Sequence, residues 1–184
     1  MQTQAARLRY IPELLTLHLE ELEFLWGQRR LAMHSPRHFL HDFLHLNERL
    51  EAHIQGLLTV PAALPDLLLP QLLAAEGRDS VFAAACPLLR LANPELTAQV
   101  VERFGQAGAA VAPGFRDAFS FAPSRLFVNA LNQILHKGES LPAAYAATAL
   151  ANLHVLDRSN STLNALLLHE DALMIAATAR GRQA

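Results

Sequence analysis

From Gly56 onward, prolines, glycines and polar caps cut this chain into short segments rich in Leu and Ala, and none of them alternates apolar and polar residues as a strand would. Leu and Ala are strong helix formers, and the β-branched and aromatic residues that favour strands are sparse. With 184 residues and 52% apolar content, the chain is long enough to bury a core without disulfide or metal staples. The expectation is all-α, a single helical domain over residues 1–184.

The first helix is expected from about Tyr10 to Met33, with Pro12 in its first turn, where a missing N–H costs nothing. Leu15, His18, Leu22, Leu25, Trp26 and Arg29 fall on one side of it, and Glu13, Glu20, Glu23, Gly27 and Arg30 on the other. A second helix, Arg37 to Leu58, carries Leu40, Phe43, Leu44, Leu50, Ile54 and Leu57 as its apolar stripe. The short connection between the two favours a helical hairpin, over about residues 10–58.

Shorter helices are expected after it. One runs Pro70 to Glu76 with Gly77 closing its C-terminus, and one runs Val81 to Leu91 behind an Asp79-Ser80 cap. Asn93-Pro94 is an N-cap and first-turn proline for a helix through Phe104. Gly105, Gly108, Pro113 and Gly114 read as a loop or turn, followed by helices from Ser124 to His136, from Ser140 through Val155, and from Ser161 to Arg180. Segments starting at Asp79, Ser140 and Glu170 read alike, each a polar cap followed by an Ala-rich helix. Ala-rich helices let neighbours approach closely, as in the inner row of an α-solenoid. The expected architecture is therefore an α-α superhelix of short HEAT-like pairs over about residues 64–180, led by the hairpin.

Fifteen basic against seventeen acidic residues give a formal net charge of -2, which leaves no footprint for nucleic acid and no polybasic membrane patch. The most apolar stretch, Leu57 to Ala75, is broken by Pro61, Pro65 and Pro70 and makes a poor membrane span. No apolar core of a signal peptide stands at the N-terminus. The lone Cys86, among alanines, reads as a small buried hydrophobe. A soluble, cytoplasmic protein is expected.

Catalytic patterns are weak. His38, His41 and His45 fall on one helix face and are the best metal candidates, although Asp42 is off that face and a plain polar surface is the simpler reading. Glu20, Glu21 and Glu23 radiate from one helix, whereas paired catalytic carboxylates converge from separate elements. Glu21 and Arg29 are expected to clamp the second helix through Arg49 and Glu48 or Glu51. Trp26, the only tryptophan, reads as a wedge between helices or as an interface anchor. Phe115, Phe119, Phe121 and Phe127 could fill a core or form a docking surface. Gly105 to Gly108 matches no phosphate-binding loop, and no serine sits in a nucleophile elbow.

Two segments are distinctive. His18, Glu20, Glu21, Phe24, Leu25, Trp26, Arg29 and Arg30 form the first, and Arg49, Leu50, Ala52, His53, Gly56 and Leu57 the second. They resemble the N-terminal signature of a bacterial family associated with type VI secretion, a His-x-Glu-Glu-x-x-Phe-Leu-Trp-x-x-Arg helix followed by an Arg-Leu-x-Ala-His-x-x-Gly-Leu helix and HEAT-like repeats. The family often has Asp-Glu before the second motif, where this chain has Asn47-Glu48. The resemblance covers about residues 10–60 and implies a role around secreted toxins. The reading is a non-enzymatic protein, without cofactor or metal, that neutralises a toxin by covering its active site. Glu20, Glu23, Arg30 and Trp26 are the protein-binding residues, and a nuclease toxin would suit the acidic rim. It would contact neither nucleic acid nor membrane itself. The alternatives are an adaptor or chaperone that loads an effector, and a histidine-metal hydrolase built on His38, His41 and His45.

Overall fold

The computed structural model describes residues 11–33, 35, 37, 39–123, 125–137, 140–157 and 161–167. These residues form helices α1 (Pro12–Ala32), α2 (Leu40–Leu58), α3 (Leu64–Ala74), α4 (Arg78–Arg90), α5 (Pro94–Gly105), α6 (Ala112–Phe121), α7 (Val128–His136), α8 (Leu141–Asn152) and α9 (Ser161–Leu167), with no strand among them. The fold is all-α.

Helices α1, α4, α6 and α8 touch in succession and make an inner row. Around it, α2 packs on α1, α3 and α5 pack on α4, and α7 packs on α8. Pairs of residues across the hairpin, His18 with His53, Glu21 with Arg49 and Arg29 with Asn47, run in opposite chain directions, so α1 and α2 are antiparallel. Composition explains the inner row. In α4 every residue from Val81 to Leu89 is buried, and in α8 every residue from Pro142 to Ala151. Helices buried all round need small side chains where backbones meet, and alanine supplies them at little entropic cost.

The Asn93 and Ser140 caps form as expected, but Asp79 and Ser80 lie inside the first turn of α4, whose N-cap is Gly77 with no side-chain cap bond. The Asn93 side chain accepts from the N–H groups of Glu95 and Leu96, and Ser140 accepts from Ala143. Three segments depart from the sequence reading. Residues 112–121 are helical rather than a loop: Pro113 occupies the first turn of α6, and Gly114 lies where α6 meets α4. A Cβ on Gly114 would stand 2.3 Å from the Arg78 carbonyl oxygen and 2.7 Å from the Val81 Cβ, so only glycine fits that approach. Helix α3 begins at Leu64, with Pro65 in its first turn and Pro70 inside it. Gly77 has an extended backbone and precedes α4 instead of closing α3. Ser124 and residues 168–184, which include the third Ala-rich segment, lie outside the described residues.

Of the aromatic cluster, Phe115, Phe119 and Phe127 are core. Phe104 meets Phe115 at 5.8 Å and Phe119 at 5.3 Å between ring centres, and Phe119 meets Phe127 at 4.9 Å. Phe115, Phe119 and Phe127 are fully buried, and Phe121 is half-buried. No helix among the described residues is long and apolar enough to cross a membrane.

Candidate functional site

All four helices of the inner row line one cavity of about 450 Å³. Helix α1 and its C-cap bring Trp26, Arg29, Arg30 and Met33; α4 brings Arg78; α6 brings Arg116, Asp117, Ser120 and Phe121; α8 brings Thr148 and Asn152. Asp117 is the buried hub. Its Oδ2 accepts from Trp26 Nε1 at 3.2 Å and from Arg78 Nε at 2.6 Å, while its Oδ1 accepts from Arg116 of the same helix. One carboxylate thereby ties α1, α4 and α6 together, with charge-assisted bonds on both oxygens.

The remaining cations differ in how they are held. Arg30 forks onto Asp79, with Nε at 3.1 Å and an Nη at 2.8 Å, and this bonding raises its pKa. Arg29 has no carboxylate partner among the described residues. Its Nε donates to Asn47 Oδ1 at 2.6 Å, and its guanidinium lies 4.5 Å from the Phe43 ring centre and 4.9 Å from that of Trp26. Burial lowers its pKa, against an opposing pull from Asp117. At the α8 side, Ser120 Oγ donates to the Arg116 carbonyl at 2.8 Å and accepts from Asn152 Nδ2 at 3.0 Å. Among the described residues, neither histidine nor cysteine lines the cavity. Four of its lining residues are arginines and one, Asp117, is a carboxylate, so the wall carries net positive charge.

The hairpin carries most of the residues singled out in the sequence. Trp26 is 5% exposed and stacks on Phe82 with ring centres 3.6 Å apart, so it is a wedge in the core and a wall of the cavity. Glu21 reaches Arg49 at 3.7 Å as the clamp required, whereas Glu51 pairs across to α4, on Arg90 at 2.6 Å. That bond holds the Glu51 carboxyl below the usual carboxylate range. His18 Nδ1 and His53 Nδ1 share a hydrogen bond of 3.0 Å, and partial burial lowers the His53 pKa. His41 is exposed and 3.0 Å from Asp42, and exposed His45 is 3.8 Å from Glu48. His38 lies outside the described residues, among which no group of three or more His, Cys, Asp or Glu is placed to hold a metal. Burial pushes the Cys86 thiol up to about 12, so it is not a nucleophile at neutral pH.

The outer face of α1 is a second feature. Leu17, Phe24 and Leu31, seven residues apart, are 52%, 57% and 59% exposed. Glu13 and Glu20 share this face, and Glu23 stands at its edge, its pKa raised by partial burial and then by Asp79. Arg30, the fourth binding residue expected from sequence, faces Asp79 and the cavity instead of this stripe. Sequence reasoning missed Arg78, Arg116, Asp117, Ser120 and Asn152, which stand on three different helices and converge only in the fold. No family model matches the chain, and none of the curated proteins or solved structures matches it either.

Proposed function

We propose that this chain is a non-enzymatic binding protein that docks a protein partner on the outer face of α1. The observation that carries the reading is the exposed line of Leu17, Phe24 and Leu31 with Glu13, Glu20 and Glu23 beside it. An apolar centre with a charged rim is the general anatomy of a protein interface, and the large aromatic at its middle is the natural anchor. The acidic rim suits a partner whose surface is basic, speeding encounter more than it adds affinity. The resemblance of the two N-terminal segments to a type VI secretion family supports the partner's class, a secreted toxin, and the mechanism is occlusion of that toxin's active site by a preformed helical stack.

The test is a capture from the native bacterium followed by a growth assay. The principal co-purifying protein is expressed in a sensitive host with this chain, with the Phe24→Glu variant and with the Glu20→Lys/Glu23→Lys variant. The reading requires that the wild-type chain restores growth and that Phe24→Glu, which alters an exposed residue, does not. A partner that binds yet stays toxic makes the chain an adaptor, and a partner that binds all three forms equally moves the interface off α1.

A further inference from the structure

We infer that the cavity of the inner row binds the phosphoryl group of a small phosphorylated molecule. This goes beyond the proposed protein-binding role, uses a different face, and stands or falls separately. The first ground is charge. Among the described residues the carboxylates that Arg29, Arg30, Arg78 and Arg116 have as ion-pair partners are Asp79 and Asp117, an excess of two positive charges in a partly desolvated site on a chain whose net charge is -2. Buried charge is costly unless paired, so the site favours an incoming anion of matching charge. A phosphoryl group carries about −1.5 to −2 at pH 7, whereas a carboxylate supplies half of that.

Geometry is the second ground. Arg29 is pinned from behind, by Asn47 on its Nε and by the Phe43 and Trp26 rings on its faces. Held in that way its charge is positioned without being neutralised, which removes most of the side-chain entropy that binding would otherwise cost. Both Arg78 and Arg116 use Nε on Asp117, which fixes each fork by one edge. A planar guanidinium presents donors in the spacing that phosphate oxygens accept. Ser120 and Asn152 add a hydroxyl and an amide to the lining. Volume is the third ground: about 450 Å³ falls within the ordinary range for small-molecule sites and exceeds what inorganic phosphate alone would fill.

The experiment is titration calorimetry of the full chain at low ionic strength. The probes are inorganic phosphate, ribose 5-phosphate, ribose and acetate, with phosphorus NMR line broadening as a second readout. Saturable binding of both phosphates, with none for ribose or acetate, is the expected result. Tighter binding of ribose 5-phosphate identifies an organic phosphate, and equal binding identifies the free ion. Affinity should fall steeply between about 0.01 M and 0.15 M salt, as the screening length shrinks from about 30 Å to about 8 Å. Arg29→Met keeps a stem to pack between the rings and should weaken phosphate binding by about tenfold or more. Ser120→Asp places a carboxylate in the cavity; it should abolish phosphate binding while raising the thermal midpoint, an outcome that loss of folding cannot imitate. Arg103→Met, on the surface outside the cavity, should change nothing. Absence of saturable phosphate binding, equal binding of acetate, or binding that survives both cavity variants overturns the inference.

Discussion

Two helix junctions in this molecule are each closed around a glycine, and they are not equivalent. Between α4 and α6, Gly114 faces the Arg78 carbonyl and the Val81 Cβ, which are backbone and its first side-chain atom. Between α1 and α2, Gly56 faces the His18 ring, whose atoms lie 2.7 Å from where a Cβ would stand. A main chain inside a packed row cannot retreat, but a side chain turns about its own bonds. The polar bonds follow the same division. Asp117 is buried and its two oxygens are bonded on three sides, while Glu21 and Arg49 across the hairpin are both substantially exposed. The contact of α6 on α4 is therefore the rigid one, and the contact of α2 on α1 the adjustable one.

The sharpest break would come at Asp117. Asp117→Ala leaves Arg116 buried and Arg78 half-buried without their carboxylate, and should cost about 3–5 kcal/mol in urea unfolding. A loss under about 1 kcal/mol, the size of an exposed ion pair, would place the network outside the structural core. Gly114→Ala comes next, at about 1–3 kcal/mol, through overpacking against a carbonyl that has no room to move. Gly56→Ala should cost about 1 kcal/mol or less, because His18 can swing away at the expense of its bond to His53. That cost should vanish in a His18→Ala background, a coupling that Gly114 would not show with any single side chain removed.

Acid should loosen the hairpin before the row. Folding lowers the His53 pKa below its ordinary 6.5, so the unfolded chain takes up that proton first. Stability is whole above about pH 6.5 and falls as pH drops toward the lowered folded value. Protonation of His53 also leaves its Nδ1 able only to donate in the bond it shares with His18. Glu51 acts lower still: its folded pKa is depressed, so its contribution is full above about 4.5 and is lost as pH falls through the folded value. Stability measured against pH should thus show a slope below pH 6.5 that His53→Asn flattens. The smallest effect is a gain. Ala92, after α4, has a φ of 51°, and Ala92→Gly should stabilise the chain by about 0.5 kcal/mol, the left-handed penalty on alanine less the extra unfolded-state entropy of glycine.

How legible this was in the sequence depended on how local the cause was. The hairpin, the Asn93 and Ser140 caps and the Ala-rich helices α4 and α8 are written in neighbouring residues, and all of them stand in the structure. Helix α6 was hidden because Gly114 reads as a breaker until its contact with Arg78 is known. Likewise, α3 was shortened because Pro70 reads as a boundary, although it stands inside the helix. The cavity was illegible for the same reason on a larger scale. Arg29, Arg78 and Arg116 belong to three helices, and Asp117 had no visible role until α6 was turned toward α1. The glutamates and histidines crowded along α1 and α2 are conspicuous in the sequence, yet none of those described lines this cavity.

One consequence of the packing is optical. The only indole in the chain lies under the Arg29 guanidinium, against Phe82, with its N–H on Asp117. Indole emission responds to the charges and dipoles around the ring, so this chain carries a single intrinsic reporter at the wall of its own cavity. An anion seated beside Arg29 would change the charge over the ring, and with it the colour and intensity of that emission. A partner seated on Leu17, Phe24 and Leu31, on the other side of the same helix, would leave it nearly unchanged. One fluorimeter trace, needing no label, therefore tells the two faces of α1 apart.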